Sequence, residues 1–305
     1  MIKIDFMELL GGIQLVSDFP MELYHYTSIQ ALESIILSQT FWVTHSEYMN
    51  DKSEGIYFWD VLGEVIHDLR YFEIENKDQL LSLCLQIEKR IPDYQKSYFY
   101  TDIFMLSFSC DADSLSLWNY YGKNDGYCLH LDPLIFNDSL KKNKQNPLCA
   151  KVIYEKSEQK AILSSELRKV VDYFFENSNP CSKEYQKNII DQLFHRWAYY
   201  YPFFKHSSFI SEQEYRMVFS PDEFIKYRVY QGIMAPYIAI PLVDENNILP
   251  ITEITVGPMV KHELALEGLR RWITSRVESK SISLPEYHEE KQGIKYTKSD
   301  IPLRF

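Results

Sequence analysis

The chain has 305 residues, 46% of them hydrophobic and 25% charged, with only 10 Gly and no Pro/Gly/Ser-rich linker, so it reads as one globular domain spanning 1–305 with a sizeable core. Its formal charge of −11 argues against broad phosphate-backbone binding, which needs many Lys and Arg contacts, while leaving room for a local basic groove. No run of eighteen apolar residues occurs, and Asp5, Glu8 and Asp18 outweigh Lys3 near the start, so neither a membrane-spanning helix nor an export leader is expected.

Taken in chain order, Leu23 to Tyr26 alternates as a short strand. Thr27 then stands three residues before Gln30, a capping-box spacing that opens a helix with Ile29, Leu32, Ile35 and Ile36 as its buried stripe. Phe41-Trp42-Val43 resumes extended structure, and two amphipathic helices are predicted over 56–69 and 80–87. The apolar run Ile103-Phe104-Met105-Leu106, ended by Ser107, predicts a central strand. Ser114 opens a short helix through Trp118 and Tyr121 that Gly122 closes, and 126–131 returns as a strand. Lys141 to Lys144 reads as a solvated basic loop.

Two long helical patterns, over 160–175 and 185–201, form a helical insertion at 158–204. The remainder is mostly β, with runs at 215–219, 225–230, 237–242 and 251–256 at hairpin spacing, a helix over 263–277 and a last strand at 294–296. Helices grouped early and strands neighbouring strands late predict an α+β fold with a mixed, mainly antiparallel sheet.

The chemistry is narrowed by absences. There is no G-x-G-x-x-G opening a helix, no P-loop, no G-x-S-x-G and no H-E-x-x-H, and the eight histidines suggest no metal. Cys84, Cys110, Cys128, Cys149 and Cys181 include no C-x-x-C pair and read as reduced thiols in a cytoplasm. The 23 Tyr, 18 Phe and 5 Trp suit stacking surfaces, and suit a large core still better.

Three segments remain. His25 stands at a strand end just before a helix N-terminus, where unpaired N–H groups can meet ribose hydroxyls or phosphate; a part-buried histidine bonded to backbone fits equally. Ser107-Phe108-Ser109 leaves the central strand towards Asp113, Ser114, Trp118 and Tyr121, either as one wall of a pocket for a flat ring or as a Ser-rich turn. Glu212 and Glu214, two apart in a strand, would share one face with Arg216, as paired acids or as the charges of an exposed edge.

Together these stretches resemble a bacterial family, domain of unknown function 2971. The resemblance rests on Leu23-Tyr24-His25-Tyr26-Thr27-Ser28, Met49-Asn50-Asp51 with Glu54-Gly55, Leu106-Ser107-Phe108-Ser109, Asp113 to Trp118 with Tyr121-Gly122, Glu212-Gln213-Glu214-Tyr215-Arg216, Ile254 to Pro258 and Ser299 to Arg304, in that order. His25, Ser107-Phe108-Ser109 and Glu212-x-Glu214 also follow the motif order of NAD-dependent ADP-ribosyltransferases and their RNA 2′-phosphotransferase relatives, which implies a split sheet and NAD as a substrate. By that similarity Glu214 would stabilise positive charge developing on the nicotinamide ribose, Glu212 would position the acceptor nucleophile, and His25 would hold ribose hydroxyls. Tyr26, Thr27, Ser107, Phe108, Ser109, Trp118, Tyr121 and Arg216 would complete the nucleotide site. The second aromatic position of His-Tyr-Glu transferases has no clear counterpart unless Tyr120 or Tyr121 serves.

The implied function is an intracellular transferase, of the kind found in toxins and anti-phage effectors, modifying a protein or nucleic acid. The alternatives are a non-catalytic sensor of a nucleotide or modified base, and a structural interaction module. The enzymatic reading requires the side chains of His25 and Glu214 to converge on one cavity.

Overall fold

The structure, a computed structural model, describes residues 22–49, 53–71, 77–96, 102–122, 126–176, 183–220, 224–230, 232–243, 246, 248–258, 261–279, 281–284 and 293–302. Asn50, Asp51, Cys181, Leu303 and Arg304 lie outside them. The chain begins with β1 (Leu23–Ser28), α1 (Ile29–Ser38) and β2 (Thr40–His45), then α2 (Ser53–Leu69), α3 (Lys77–Glu88) and α4 (Ile91–Lys96). Next come β3 (Phe104–Ser109), β4 (Gly126–Leu131), α5 (Pro133–Lys142), β5 (Leu148–Lys151), α6 (Lys156–Glu176) and α7 (Lys183–Tyr200). The order closes with β6 (Glu214–Phe219), β7 (Lys226–Tyr230), β8 (Ile233–Pro241), β9 (Ile251–Val256), α8 (His262–Glu278) and β10 (Lys295–Lys298).

These elements form two compact units. A helical unit draws on 45–103 and 150–210, so the stretch 158–204 supplies two of its helices and the earlier segment supplies the others. Its interior is aromatic. Phe194 stacks on Trp59 at 5.3 Å and on Tyr94 at 4.2 Å, and the buried Glu166 accepts from both Arg196 Nε at 3.0 Å and Trp197 Nε1 at 2.8 Å. A buried carboxylate is tolerated there because each oxygen has a charged or polar donor.

The second unit, built from 18–44, 104–149 and 211–305, holds the sheet. Along its main path the order is β10-β9-β4-β1-β3-β2-β8-β7, and β6 joins on β3. β10 and β9 are parallel, whereas β1–β4, β3–β6, β2–β8, β7–β8 and β4–β9 are antiparallel, giving a mixed, mainly antiparallel sheet in an α+β fold. β1 runs alongside β4 for its whole length, from Leu23↔Leu131 to Ser28↔Gly126, yet pairs with β3 only at Tyr24↔Ser109. Leu32, Ile35 and Ile36 of α1 enter the core that covers one sheet face, together with Phe41, Phe104, Phe108, Tyr127, Phe136, Tyr215 and Ile254.

Two local readings change. The cap of α1 is Ser28, whose hydroxyl accepts from the Ala31 N–H at 3.3 Å, because β1 runs one residue further than the capping-box spacing suggests; Thr27 is a buried strand residue. Lys141 and Lys142 form the last turn of α5, which Asp132 opens by accepting from the Leu134 and Ile135 amides, with Pro133 in the first turn.

Candidate functional site

The three strands that bear the transferase-like motifs, β1, β3 and β6, are consecutive neighbours in the sheet. Residues directly opposite one another in an antiparallel pair share a face, and faces alternate along each strand. Tyr24, Ser109 and Glu214 are therefore on one face, as are Ser107 and its partner Arg216. Tyr26 joins them two residues along β1. His25 and Phe108 take the opposite face to Glu214.

His25 is half-buried against rings of the core. Its ring stands edge-on to Phe41 at 4.9 Å and to Phe108 at 5.8 Å, and its Nδ1 is 3.3 Å from the Ser107 carbonyl oxygen, which can only accept. The contact falls where β1 leaves β3 beyond the single pair Tyr24↔Ser109. Burial among apolar rings lowers the imidazole pKa to about 4, a shift that the carbonyl bond offsets only in part. The ring is thus neutral at physiological pH, with its proton on Nδ1.

On the other face the acid is engaged. Arg216 donates from Nε to Glu214 Oε2 at 2.7 Å and from Nη2 to Oε1 at 3.0 Å, and both side chains are buried. This two-point geometry is among the strongest hydrogen-bonded ion pairs available to a protein. Glu212 does not line up with Glu214 on a strand face. It ends a 3-10 turn, Ser207–Glu212, and Gln213 adopts a left-handed φ of 44° that turns the chain before β6 begins. The buried Glu212 accepts from the Ser109 hydroxyl through its carbonyl oxygen at 2.8 Å, and the same hydroxyl accepts from the Asp111 N–H at 3.0 Å.

Tyr26 ties this face to the turn that follows β3. Its phenol donates to the Asp111 carbonyl at 2.7 Å and accepts from the Ser114 N–H at 2.8 Å, while its ring meets Trp118 edge-on at 4.7 Å. Burial pushes the Tyr26 phenol far above the usual tyrosine range, keeping it a donor. Trp118 is buried and gives its Nε1–H to Asp113 at 2.6 Å; Asp113 also accepts from Ser299 Oγ at 2.6 Å and from the Asp300 N–H at 2.9 Å. Asp113 therefore fastens Ser299 and Asp300 to the turn at Trp118. Gly257 is required beside it, because a Cβ there would fall 2.7 Å from Trp118 Cε3. Tyr121 is exposed.

The arrangement gathers Tyr26, Ser107, Ser109, Trp118, Glu214 and Arg216, and it sets His25, Thr27 and Phe108 apart. Apart from Ser107, the gathered residues are buried, and each makes a hydrogen bond to a neighbouring side chain or to backbone. Asp111, Asp113 and Ser299 belong to it as well; an Asx-rich turn is their sequence signal, visible but ambiguous.

A second polar cluster was not legible from the sequence. His130 of β4 bonds Thr255 Oγ1 through Nε2 at 2.8 Å; Thr255 reaches Thr297 Oγ1 at 2.8 Å, and Thr297 donates to Glu253 Oε1 at 2.6 Å. Burial works to raise the Glu253 carboxyl, yet bonds from Thr297 and Lys295 hold it below the usual range. These residues meet only through the β4–β9 and β9–β10 registers. Among the described residues no group of three His, Cys, Asp or Glu side chains is placed to hold a metal ion, and no helix is long and apolar enough to cross a membrane. A cleft of about 570 Å³ in the helical unit, lined by Val65, Asp68, Lys160 and Arg168 among others, contains none of the motif residues.

Comparison with known proteins places residues 117–217 in register with the family described as Protein of unknown function (DUF2971). That third of the chain includes Trp118, Tyr121, Glu212, Glu214 and Arg216 and excludes His25. No curated protein and no solved structure matches the chain.

Proposed function

We propose that the protein is a non-catalytic binder of a nucleotide-type ligand, in which the residues resembling transferase motifs serve the fold. The observation supporting this most directly is the engagement of Glu214: both carboxylate oxygens are bonded to Arg216 in a buried pair, on the sheet face that His25 does not share. A carboxylate meant to stabilise positive charge on a ribose has to present an oxygen to it in a water-excluded cavity. The order of the motifs and the adjacency of their strands support a scaffold related to NAD-using proteins, and hence a nucleotide as ligand class. Isothermal titration with NAD and AMP tests the reading. Saturable heat without nicotinamide release supports it, and the absence of binding by either ligand contradicts it.

A second reading is favoured by one specific feature, the neighbouring of β1, β3 and β6 around a junction of a single residue pair. In it the protein is an ADP-ribosyltransferase-like enzyme acting on an intracellular protein or nucleic acid, as a toxin or defence effector would. Arg216 would have to release Glu214 first. Labelled NAD incubated with cell lysate distinguishes the two: a labelled macromolecule that disappears with Glu214→Gln supports the enzyme, and unconsumed NAD supports the binder.

A further inference from the structure

Beyond β3, the main path of the sheet continues through β2 and β8 to end at β7. β2 (TFWVTH), β7 (KYRVY) and β8 (IMAPYIAIP) contain no carboxylate, as most strands of this sheet do not, and they bring aromatic and basic side chains together. Register assigns their side chains to faces. Phe41, Val43, Ile238 and Ile240 point into the core, whereas Trp42, Thr44, Tyr237, Lys226, Arg228 and Tyr230 share the opposite face.

On that outer face the Arg228 guanidinium sits among three rings, with its Cζ 5.1 Å from the Tyr230 centroid, 5.7 Å from Trp42 and 5.8 Å from Tyr237. Nη2 donates to Thr44 Oγ1 at 2.8 Å, which fixes the plane of the group. Trp42 and Tyr237 lie 5.1 Å apart and tilted by 33°, so the indole is held in place on one side while it remains 40% exposed. Lys226, opposite Tyr237, is exposed. An immobilised, accessible indole beside two cations on a carboxylate-free strand surface presents a planar apolar ring and positive charge to the same ligand. Bases of a single strand offer π-faces and their linkages offer negative charge, which is the pairing that such platforms use. A duplex hides its bases, and two cations alone are too few to hold it.

We propose that the outer face of β2, β8 and β7 binds single-stranded nucleic acid, with a base stacked on Trp42 and phosphates against Arg228 and Lys226. The proposal takes its ligand class from the nucleotide-binding reading above and assigns it a surface and a polymeric form. Stacking makes recognition tolerant of sequence. Two phosphate contacts give a shallow salt dependence, with log K falling against log[salt] at a slope of about −1.4.

Fluorescence anisotropy with a labelled oligouridine of about 12 nucleotides tests it, since single-strand platforms span several residues. The expected result is binding in the range of about 10⁻⁴–10⁻⁶ M at moderate salt, weakened about tenfold or more by Trp42→Ala and again by Lys226→Glu, and unaffected by Leu134→Ser on an exposed part of α5. The same sequence as a duplex should bind more weakly. Circular dichroism and thermal melting confirm that the variants fold. If the oligonucleotide binds but neither Trp42→Ala nor Lys226→Glu weakens it, the surface assignment is overturned while nucleotide binding stands. If NAD or AMP binds and the oligonucleotide does not, the polymeric ligand is overturned; if none binds, both proposals fall.

Discussion

Two regions of one sheet make opposite use of polar and aromatic side chains. Around β1, β3 and β6, Glu214, Arg216, Tyr26, Ser109 and Trp118 are buried and hydrogen-bonded to neighbouring side chains or to backbone. On β2, β8 and β7 the outer face keeps Trp42 and Lys226 in solvent. In the reading proposed above, the residues with the most catalytic appearance in the sequence serve cohesion, and the accessible chemistry lies on strands with no motif. A buried, satisfied ion pair specifies structure, whereas an exposed ring beside a cation is available to a ligand.

The sharpest way to break this contrast is to remove one partner of the buried pair. Arg216→Ala removes the two-point partner of the buried Glu214 carboxylate and should cost about 3–5 kcal/mol in chemical denaturation, because breaking a buried ion pair from one side is strongly destabilising. The double variant Glu214→Met/Arg216→Met should recover much of that loss. Equal losses from the single and double variants would mean that the pair is not what its geometry implies.

Acidification probes the opposite face. His25 has a folded pKa near 4 against an ordinary value of 6.5, so the folded state disfavours its protonation. Its neutral form supports full stability above pH 6.5; stability falls as pH drops from there and the loss is complete below about pH 4, amounting to about 3 kcal/mol. His45 and His130, both lowered chiefly by burial, act in the same direction. His25→Phe should flatten this dependence, as read from denaturation midpoints between pH 7 and 4.

Smaller effects are expected at the turn after β3. Tyr26→Phe leaves the Ser114 N–H and the Asp111 carbonyl without their phenol partner and should cost about 1–3 kcal/mol. Gly257→Ala forces a methyl into Trp118 and should cost a similar amount, about 1–3 kcal/mol, through overpacking. Trp42→Ala, by contrast, removes an exposed cation–π partner and should change stability by about 1 kcal/mol or less, while abolishing most oligonucleotide binding. Thermal melts of the three variants would rank them.

Much of the fold is legible from periodicity. The strand at 126–131, the run at 251–256 and the helix near 263–277 coincide closely with β4, β9 and α8, because long patterns of period two or 3.6 are set by one buried face. Part of what escaped is local. Asp132-Pro133 is a helix-start signal that the Lys-rich stretch after it obscured, and Gln213 is an ordinary residue whose left-handed φ cannot be read from its identity. The divergence of His25 and Tyr26 was available in principle, since neighbours on a strand must face opposite sides. Whether His25 and Glu214 converge depends on register across β1, β3 and β6, which is a property of pairing and not of any one strand. The His130–Glu253 chain was hidden for the same reason.

The most direct test is the unfolding free energy of Glu214→Gln measured against the parent protein. An acid that serves the fold predicts a loss of about 3 kcal/mol, since a neutral amide cannot replace the two charge-assisted bonds from Arg216. An acid held ready for catalysis predicts unchanged or increased stability, the common consequence of removing a strained active-site group, and that result would contradict the structural role assigned to Glu214.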